Sequence, residues 1–316
     1  MRIAWNGIAI LNTVLLLFSG LTFSAPLNQR VIYKPNASFK LTIFDVNYRA
    51  TDRGRQLVAR VYQPVGSGPF PVLLDLHGGA WNNKDRLAEA PMDQAIAASG
   101  VLVVAIDLTR AGESPYPAAI QDASYGIRWV KAKAHEWGGD PSTLGLYGSS
   151  SGGHIAELLG MMPNDALYNA DAEKEFKNLN TLVRYIVTRS PISNTEARYE
   201  NAVNRQREPM IKNNLNFFKP WETISLANPQ KILDQKRYTH LPPLLIMQGE
   251  KDDNVLPKDQ ALFAQSYQQA GGQCQYVVFK DSEHEWVAKE SEQTTQAREL
   301  VKAFIAKQLR TMQTDQ

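Results

Sequence analysis

Three consecutive serines, Ser149, Ser150 and Ser151, stand between Gly148 and the pair Gly152-Gly153, directly after the apolar run Leu144 to Tyr147. A serine hydroxyl is a weak nucleophile until its backbone holds it clear and a base takes its proton. A strand turning sharply into a helix does the first of these, and small residues two before and two after the serine let that turn close. The Gly-x-Ser-x-Gly frame selects Ser150. A frame centred on Ser151 would put Ser149 and Gly153 at the small positions and fits less well.

The base must come from five histidines, His77, His135, His154, His240 and His284. His135 lies among charged residues of a helix, His240 leads into a strand, and His154 sits one helical turn after Ser150, where packing or a hydrogen bond accounts for it. His284 lies in the polar loop Lys280 to Trp286 that follows the last strand, and such loops carry the ligand-handling side chains of an open α/β sheet. A carboxylate must fix the imidazole tautomer. Glu250, Asp252 and Asp253 follow the strand Leu244 to Met247, and charge alone does not choose among them. Donors for a tetrahedral oxyanion are expected in Leu76-His77-Gly78-Gly79-Ala80-Trp81, where paired glycines let main-chain N–H groups turn inward. Their partner is the amide of Ser151 at the start of a helix, where unpaired amides favour negative charge. Ser151 is needed for that amide and not for its hydroxyl, so its replacement by alanine is expected to be nearly silent.

These loops need a scaffold. Strands are expected at Leu41 to Tyr48 and Leu57 to Tyr62, joined through Asp52 to Arg55 as an antiparallel hairpin. Val72 to Leu76 and Val101 to Ile106 are continuous apolar runs of the kind buried on both faces of a parallel sheet, followed by the strand ahead of the serines, Val183 to Val187, Leu244 to Met247 and Gln275 to Phe279. Helical spacing covers Arg86 to Ser99, Asp122 to Glu136, Ser151 to about Met161, Lys258 to Ala270 and Glu290 to Leu309. The alternation implies an α/β fold with a mostly parallel sheet flanked by helices. Residues from about 188 to 240 break the rhythm and read as a helical cap insertion, whose Tyr199, Phe217, Phe218 and Trp221 are placed to close over a site. Trp81 and Tyr116 are candidates for its lining, although core packing explains either equally well.

Composition narrows the classes. The 316 residues carry 34 basic and 32 acidic side chains in a well-mixed order, a net charge of +2, which gives no footprint for nucleic acid. The single cysteine, Cys274, rules out an intramolecular disulfide, and no Cys/His cluster offers metal-ligand spacing. Arg2, the apolar stretch Ile8 to Phe18 and the small residues before Ala25-Pro26 read as a secretory signal peptide over residues 1–25, with an uncleaved membrane anchor as the alternative. Residues 26–316 then form the exported domain.

The chain resembles the α/β-hydrolase superfamily, and within it carboxylesterases of the hormone-sensitive-lipase and acetyl-esterase type. The likeness runs from about residue 41 to 309 and rests on HGGAW at 77–81, SPYPAA at 114–119 through Arg128-Trp129, GGDPS at 138–142, GSSSGGH at 148–154 and GEKDDNV at 249–255. The resemblance implies Ser150 as nucleophile, His284 as base and Asp252 as the acid, with Val255 completing the family's GxxDxxV pattern. It also implies oxyanion donors at Gly79 and Ala80, with Gly78 as a further candidate, and at Ser151. Ala80 stands where many relatives have a third glycine, and Glu283 and Glu285 flank His284 where a following glycine is usual, an arrangement that raises the histidine pKa if the carboxylates lie close.

The expected function is a cofactor-free serine carboxylesterase for small to medium acyl esters, acetyl esters of polysaccharides included. The alternatives are a serine peptidase of the prolyl-oligopeptidase kind, which usually carries a propeller domain with no counterpart here, and a non-catalytic ligand-binding protein on a hydrolase fold.

Overall fold

The computed structural model describes residues 31–169, 175–176 and 178–314. The expected signal peptide at residues 1–25 lies outside them. In chain order the elements are β1 (Leu41–Ala50), β2 (Gln56–Pro64), β3 (Val72–Leu76), α1 (Ala90–Ala98), β4 (Leu102–Ile106), α2 (Ala118–Lys133), β5 (Gly145–Ser149), α3 (Ser151–Met161) and β6 (Ile186–Arg189). Then follow α4 (Thr195–Asn204), α5 (Glu208–Phe217), α6 (Thr223–Leu226), α7 (Pro229–Asp234), β7 (Leu244–Gly249), α8 (Pro257–Gln269), β8 (Cys274–Phe279) and α9 (Glu292–Thr314).

The eight strands make one sheet in the order β1-β2-β4-β3-β5-β6-β7-β8. β1 and β2 form the expected hairpin, β2 runs antiparallel to β4, and every later pairing is parallel. The apolar runs of β3, β4 and β5 are buried along their whole length because helices cover both faces. Leu74, Val104, Leu146 and Ile186 pack under α2, α3 and α8, while Leu73, Val103, Tyr147 and Val187 pack under α1 and α9.

Three boundaries differ from the sequence expectation for local reasons. Residues 86–89 do not join α1, because the Arg86 amide donates to Asp107 and Pro91 sits in the first turn of a helix that starts at Ala90. α2 starts four residues earlier than expected, behind Pro117. β6 is shifted to Ile186–Arg189, carrying a charged residue into the sheet that hydropathy assigns to a loop. Residues 190–243, with α4 to α7, are thus inserted between β6 and β7. Cys274 opens β8, and burial pushes its thiol up to about 12, well away from a reactive thiolate. Among the described residues no helix is long and apolar enough to cross a membrane.

Close backbone contact, not only apolar burial, fixes the first turn of α3 against the end of β3. A Cβ on Gly152 would lie 1.8 Å from the Leu76 carbonyl oxygen, whereas one on Gly54, in the hairpin turn at φ +80°, would meet nothing within 4 Å. Gly152→Ala is therefore expected to cost about 3 kcal/mol or more in urea unfolding, and Gly54→Ala about 1 kcal/mol from its backbone conformation alone.

Candidate active site

Ser150 occupies the turn between β5 and α3 with φ +51° and ψ −114°, a region that non-glycine residues rarely visit. The surroundings enforce it. The Ser150 amide donates to the Arg189 carbonyl at 2.9 Å, and its own carbonyl accepts from the His154 and Ile192 amides at 3.1 and 3.2 Å. A Cβ on Gly148 would sit 2.6 Å from the Gly152 carbonyl oxygen, so only glycines let the two sides of the turn meet. This is the Ser150 frame in physical form.

Loops from three strand ends bring one hydrogen-bond relay together. The Ser150 hydroxyl lies 3.0 Å from His284 Nε2, and His284 Nδ1 lies 2.7 Å from Asp252 Oδ2. Asp252 Oδ1 also accepts from the amides of Asn254 and Val255 at 3.0 and 2.9 Å, and Gln248 Nε2 donates to Oδ2 at 3.0 Å. Burial pushes the Asp252 carboxyl up, but the hydrogen bond and charge of His284 and the Val255 amide outweigh it and hold the pKa below the ordinary carboxylate value. An ionised Asp252 accepts only, so His284 carries its proton on Nδ1 and turns the lone pair of Nε2 to Ser150. The other two acids are elsewhere: Glu250 accepts from the Asp281 amide, and Asp253 is held by Arg205 and Arg207.

The loop after β3 is built from peptide planes whose carbonyls are tied down. His77 Nδ1 donates to the Gly78 carbonyl at 2.7 Å while its Nε2 accepts from the Leu108 amide at 3.2 Å, and burial lowers its pKa, keeping the ring neutral. The Gly79 carbonyl accepts from the amides of Asn82 and Asn83 at 3.0 and 3.2 Å. In a planar trans peptide the N–H points opposite the C=O, so the amides of Gly79 and Ala80 are turned away from these anchors. Together with the Ser151 amide they have no protein acceptor among the described residues. Gly79, Ala80 and Trp81 all have positive φ, at 104°, 50° and 60°. That explains why a third glycine suits the position of Ala80, which still supplies an N–H.

The Trp81 amide donates to Ser151 Oγ at 3.2 Å. The hydroxyl of Ser151 therefore has a task that sequence reasoning did not give it: it ties the glycine loop to the start of α3. Trp81 is buried, stacks on Phe217 with centroids 4.6 Å apart, and donates from Nε1 to His154 Nδ1 at 3.2 Å. His154 in turn reaches the Ala227 carbonyl through Nε2 at 2.7 Å, and burial lowers its pKa to about 4. Of the four insertion aromatics expected to close over the site, Phe217 and Phe218 are buried against Trp81 and His154, whereas Tyr199 and Trp221 pack on each other further out. Tyr116 hydrogen-bonds to Tyr168.

Two further residues support the relay and were missed in the sequence. Arg189, at the end of β6, pairs with buried Glu89 at 3.0 Å and donates to the His284 carbonyl at 2.6 Å, while Ser149 Oγ donates to the same Glu89 oxygen at 2.7 Å. A buried ion pair thus joins Ser149 to the main chain of His284. The only sequence signal was a charged residue next to an apolar strand. Glu285, next to His284, pairs with Lys84 at 2.5 Å; this contact comes first among the causes that lower its pKa, and the charge of His284 is also one of them.

A serine turn, an acid loop and a histidine loop at the carboxyl ends of the parallel strands β5, β7 and β8 of one sheet are the arrangement of the α/β-hydrolase fold. The chain belongs to the BD-FAE family, whose model it matches over residues 60–267. It is 28% identical to the probable carboxylic ester hydrolase LipM of Mycobacterium tuberculosis over 200 residues, 62% of this chain and 44% of LipM. It is 38% identical to carboxylesterase NlhH of the same species over 108 residues, 34% of each chain. The chain thus spans less than half the length of these curated relatives. Among solved structures it is similar to EstE1, a carboxylesterase from a metagenomic library, at 23% identity and TM-score 0.69, covering 86% of this chain and 91% of that one. An esterase from Pyrobaculum calidifontis gives 22% identity and TM-score 0.69, covering 86% and 87%.

Two outcomes test this geometry. Ser151→Ala should slow covalent labelling of Ser150 by a fluorophosphonate about fivefold, the effect of one neutral hydrogen bond, and an unchanged rate would remove the role of the hydroxyl. Because the folded pKa of Asp252 lies below its unfolded value of about 3.9, the ionised carboxylate stabilises the fold above that value, and the contribution is lost as pH falls through the folded pKa. Asp252→Asn should accordingly unfold at lower urea than the parent at pH 7, and the gap should narrow as the pH falls below the unfolded value of about 3.9.

Proposed function

We propose that the protein is a serine carboxylesterase acting on small to medium acyl esters through an acyl-enzyme. The observation that carries this reading is the unbroken relay from Asp252 through His284 to the Ser150 hydroxyl, at 2.7 and 3.0 Å, beside three amides without protein acceptors. Ser150 Oγ attacks the ester carbonyl as His284 Nε2 takes its proton, and the oxyanion is held by the amides of Gly79, Ala80 and Ser151. His284 then protonates the leaving alcohol, and a water activated by the same nitrogen releases the acid and regenerates the serine. Asp252 holds the imidazole tautomer and stabilises the imidazolium formed in each step. The names of the curated relatives, carboxylic ester hydrolase and carboxylesterase, support the same reaction class. The reading includes export under the direction of the N-terminal apolar stretch, and acetyl groups on glycans within the substrate range.

The purified protein should hydrolyse p-nitrophenyl acetate, and Ser150→Ala should abolish this, with a loss on the order of 10⁴-fold or more. Activity retained in that variant would remove Ser150 as nucleophile. A panel of esters of graded acyl length, run beside acetylated oligosaccharides and peptide amides, would fix the substrate class and test the peptidase alternative.

A further inference from the structure

Arg198 differs from the other cationic side chains of the insertion. Lys231 is paired with Glu196, and Arg205 and Arg207 with Asp253, all of them partly exposed. Arg198, on α4, is 3% exposed and forms no ion pair among the described residues. Its Nε donates to Asn254 Oδ1 at 2.9 Å. The buried Nη1 has no hydrogen-bond partner, and Nη2 has none among the described residues either. The guanidinium carbon lies 5.6 Å from the centre of the Trp81 ring. It therefore stands between the loop that carries the free amides of Gly79 and Ala80 and the loop that carries Asp252.

A guanidinium so far from water is costly unless an anion meets it. The protein does not supply one. Asp252, the acid whose charge acts on Arg198, already accepts from His284, Gln248, Asn254 and Val255. Burial lowers the Arg198 pKa to about 10, partly offset by Asp252, so the side chain stays cationic at neutral pH. With Nε engaged and Nη1 closed off from solvent, Nη2 is the N–H donor left, and a charge-assisted hydrogen bond from it suits a carboxylate oxygen. The Trp81 face holds the guanidinium in place by a cation–π contact.

We propose that Arg198 anchors an anionic group of the substrate, so that the preferred esters carry a carboxylate close to the scissile bond. This rests on the esterase reading of the same site. The carboxylate is a spectator: the bond from Ser150 Oγ to the acyl carbon forms, the acyl to alkoxy bond breaks, and the serine proton leaves on the alcohol by way of His284. The anion sits on either the acyl or the alcohol side, and the two sources are separable.

The test compares kcat/KM by pH-stat for two matched pairs, ethyl hydrogen succinate against ethyl pentanoate and 3-acetoxypropanoate against butyl acetate. In the parent enzyme one charged ester should exceed its neutral match by about tenfold or more, the effect of a charge-assisted hydrogen bond. Which pair shows it tells on which side the carboxylate lies. In Arg198→Met that ratio should fall to about one, and in Arg198→Lys, which keeps the charge but on a shorter-reaching, flexible stem, it should lie between. Because the readout is a ratio, a general weakening of the site leaves it unmoved. A ratio near one for both pairs in the parent, which needs no variant to fold, overturns the proposal, as does a ratio that survives in Arg198→Met. Hydrolysis of none of the four esters would overturn the esterase reading itself and this one with it, an outcome distinct from neutral turnover without preference.

Discussion

The site depends first on the backbone of a single residue. Ser150 at φ +51° is held in a conformation that costs of order 1–3 kcal/mol, and what holds it is the contact of two chain segments at distances no side chain tolerates. Gly148 and Gly152 face each other across the turn, Gly152 also lies on the carbonyl end of β3, and Gly78 lies on Ser149 and Ser150. Because β3 and β5 are neighbours in the sheet, the same contacts that strain the serine also place the glycine loop beside it. Ser150 and the glycine loop are thus one packing unit, and neither has a geometry independent of the other.

Charge is distributed around this unit with few ionised groups inside it. His77 and His154 are buried with lowered pKa values and act as neutral hydrogen-bond bridges, one to the glycine loop and one from Trp81 to the insertion. Asp75, Asp93 and Glu157 are buried carboxyls pushed upward, first by burial, and so are held in the neutral form. Asp252, by contrast, is held down, because hydrogen-bond donors surround it. That contrast is what gives His284 its direction. The Glu89–Arg189 pair works on the main chain instead, coupling Ser149 to the His284 carbonyl.

Much of this is written locally in the sequence. Continuous apolar runs mark β3, β4, β5 and β7 because those strands are covered on both faces, and Ser151 to Met161 follows its glycines as a helix without a shift of boundary. The relay was legible because its members each follow a strand, so chain order and loop position converge on Ser150, an acid after β7 and His284. What stayed hidden depends on pairs distant in sequence. Glu89 and Arg189 are 100 residues apart, and nothing in either neighbourhood names the other. The hydroxyl of Ser151 looked idle because its donor is the amide of Trp81, 70 residues away. Glu285 was read only against the adjacent histidine, whereas its ion-pair partner is Lys84, 201 residues away.

The insertion between β6 and β7 grips the acid loop by its middle: Asn201 donates to the Asp253 carbonyl at 2.9 Å, and Arg205 and Arg207 clasp the Asp253 carboxylate next to Asp252. In evolutionary terms the insertion and the loop after β7 form one inheritable module. A foreign insertion would leave residues 252–255 without these contacts, so the two stretches, although separated in the gene, can be exchanged only together.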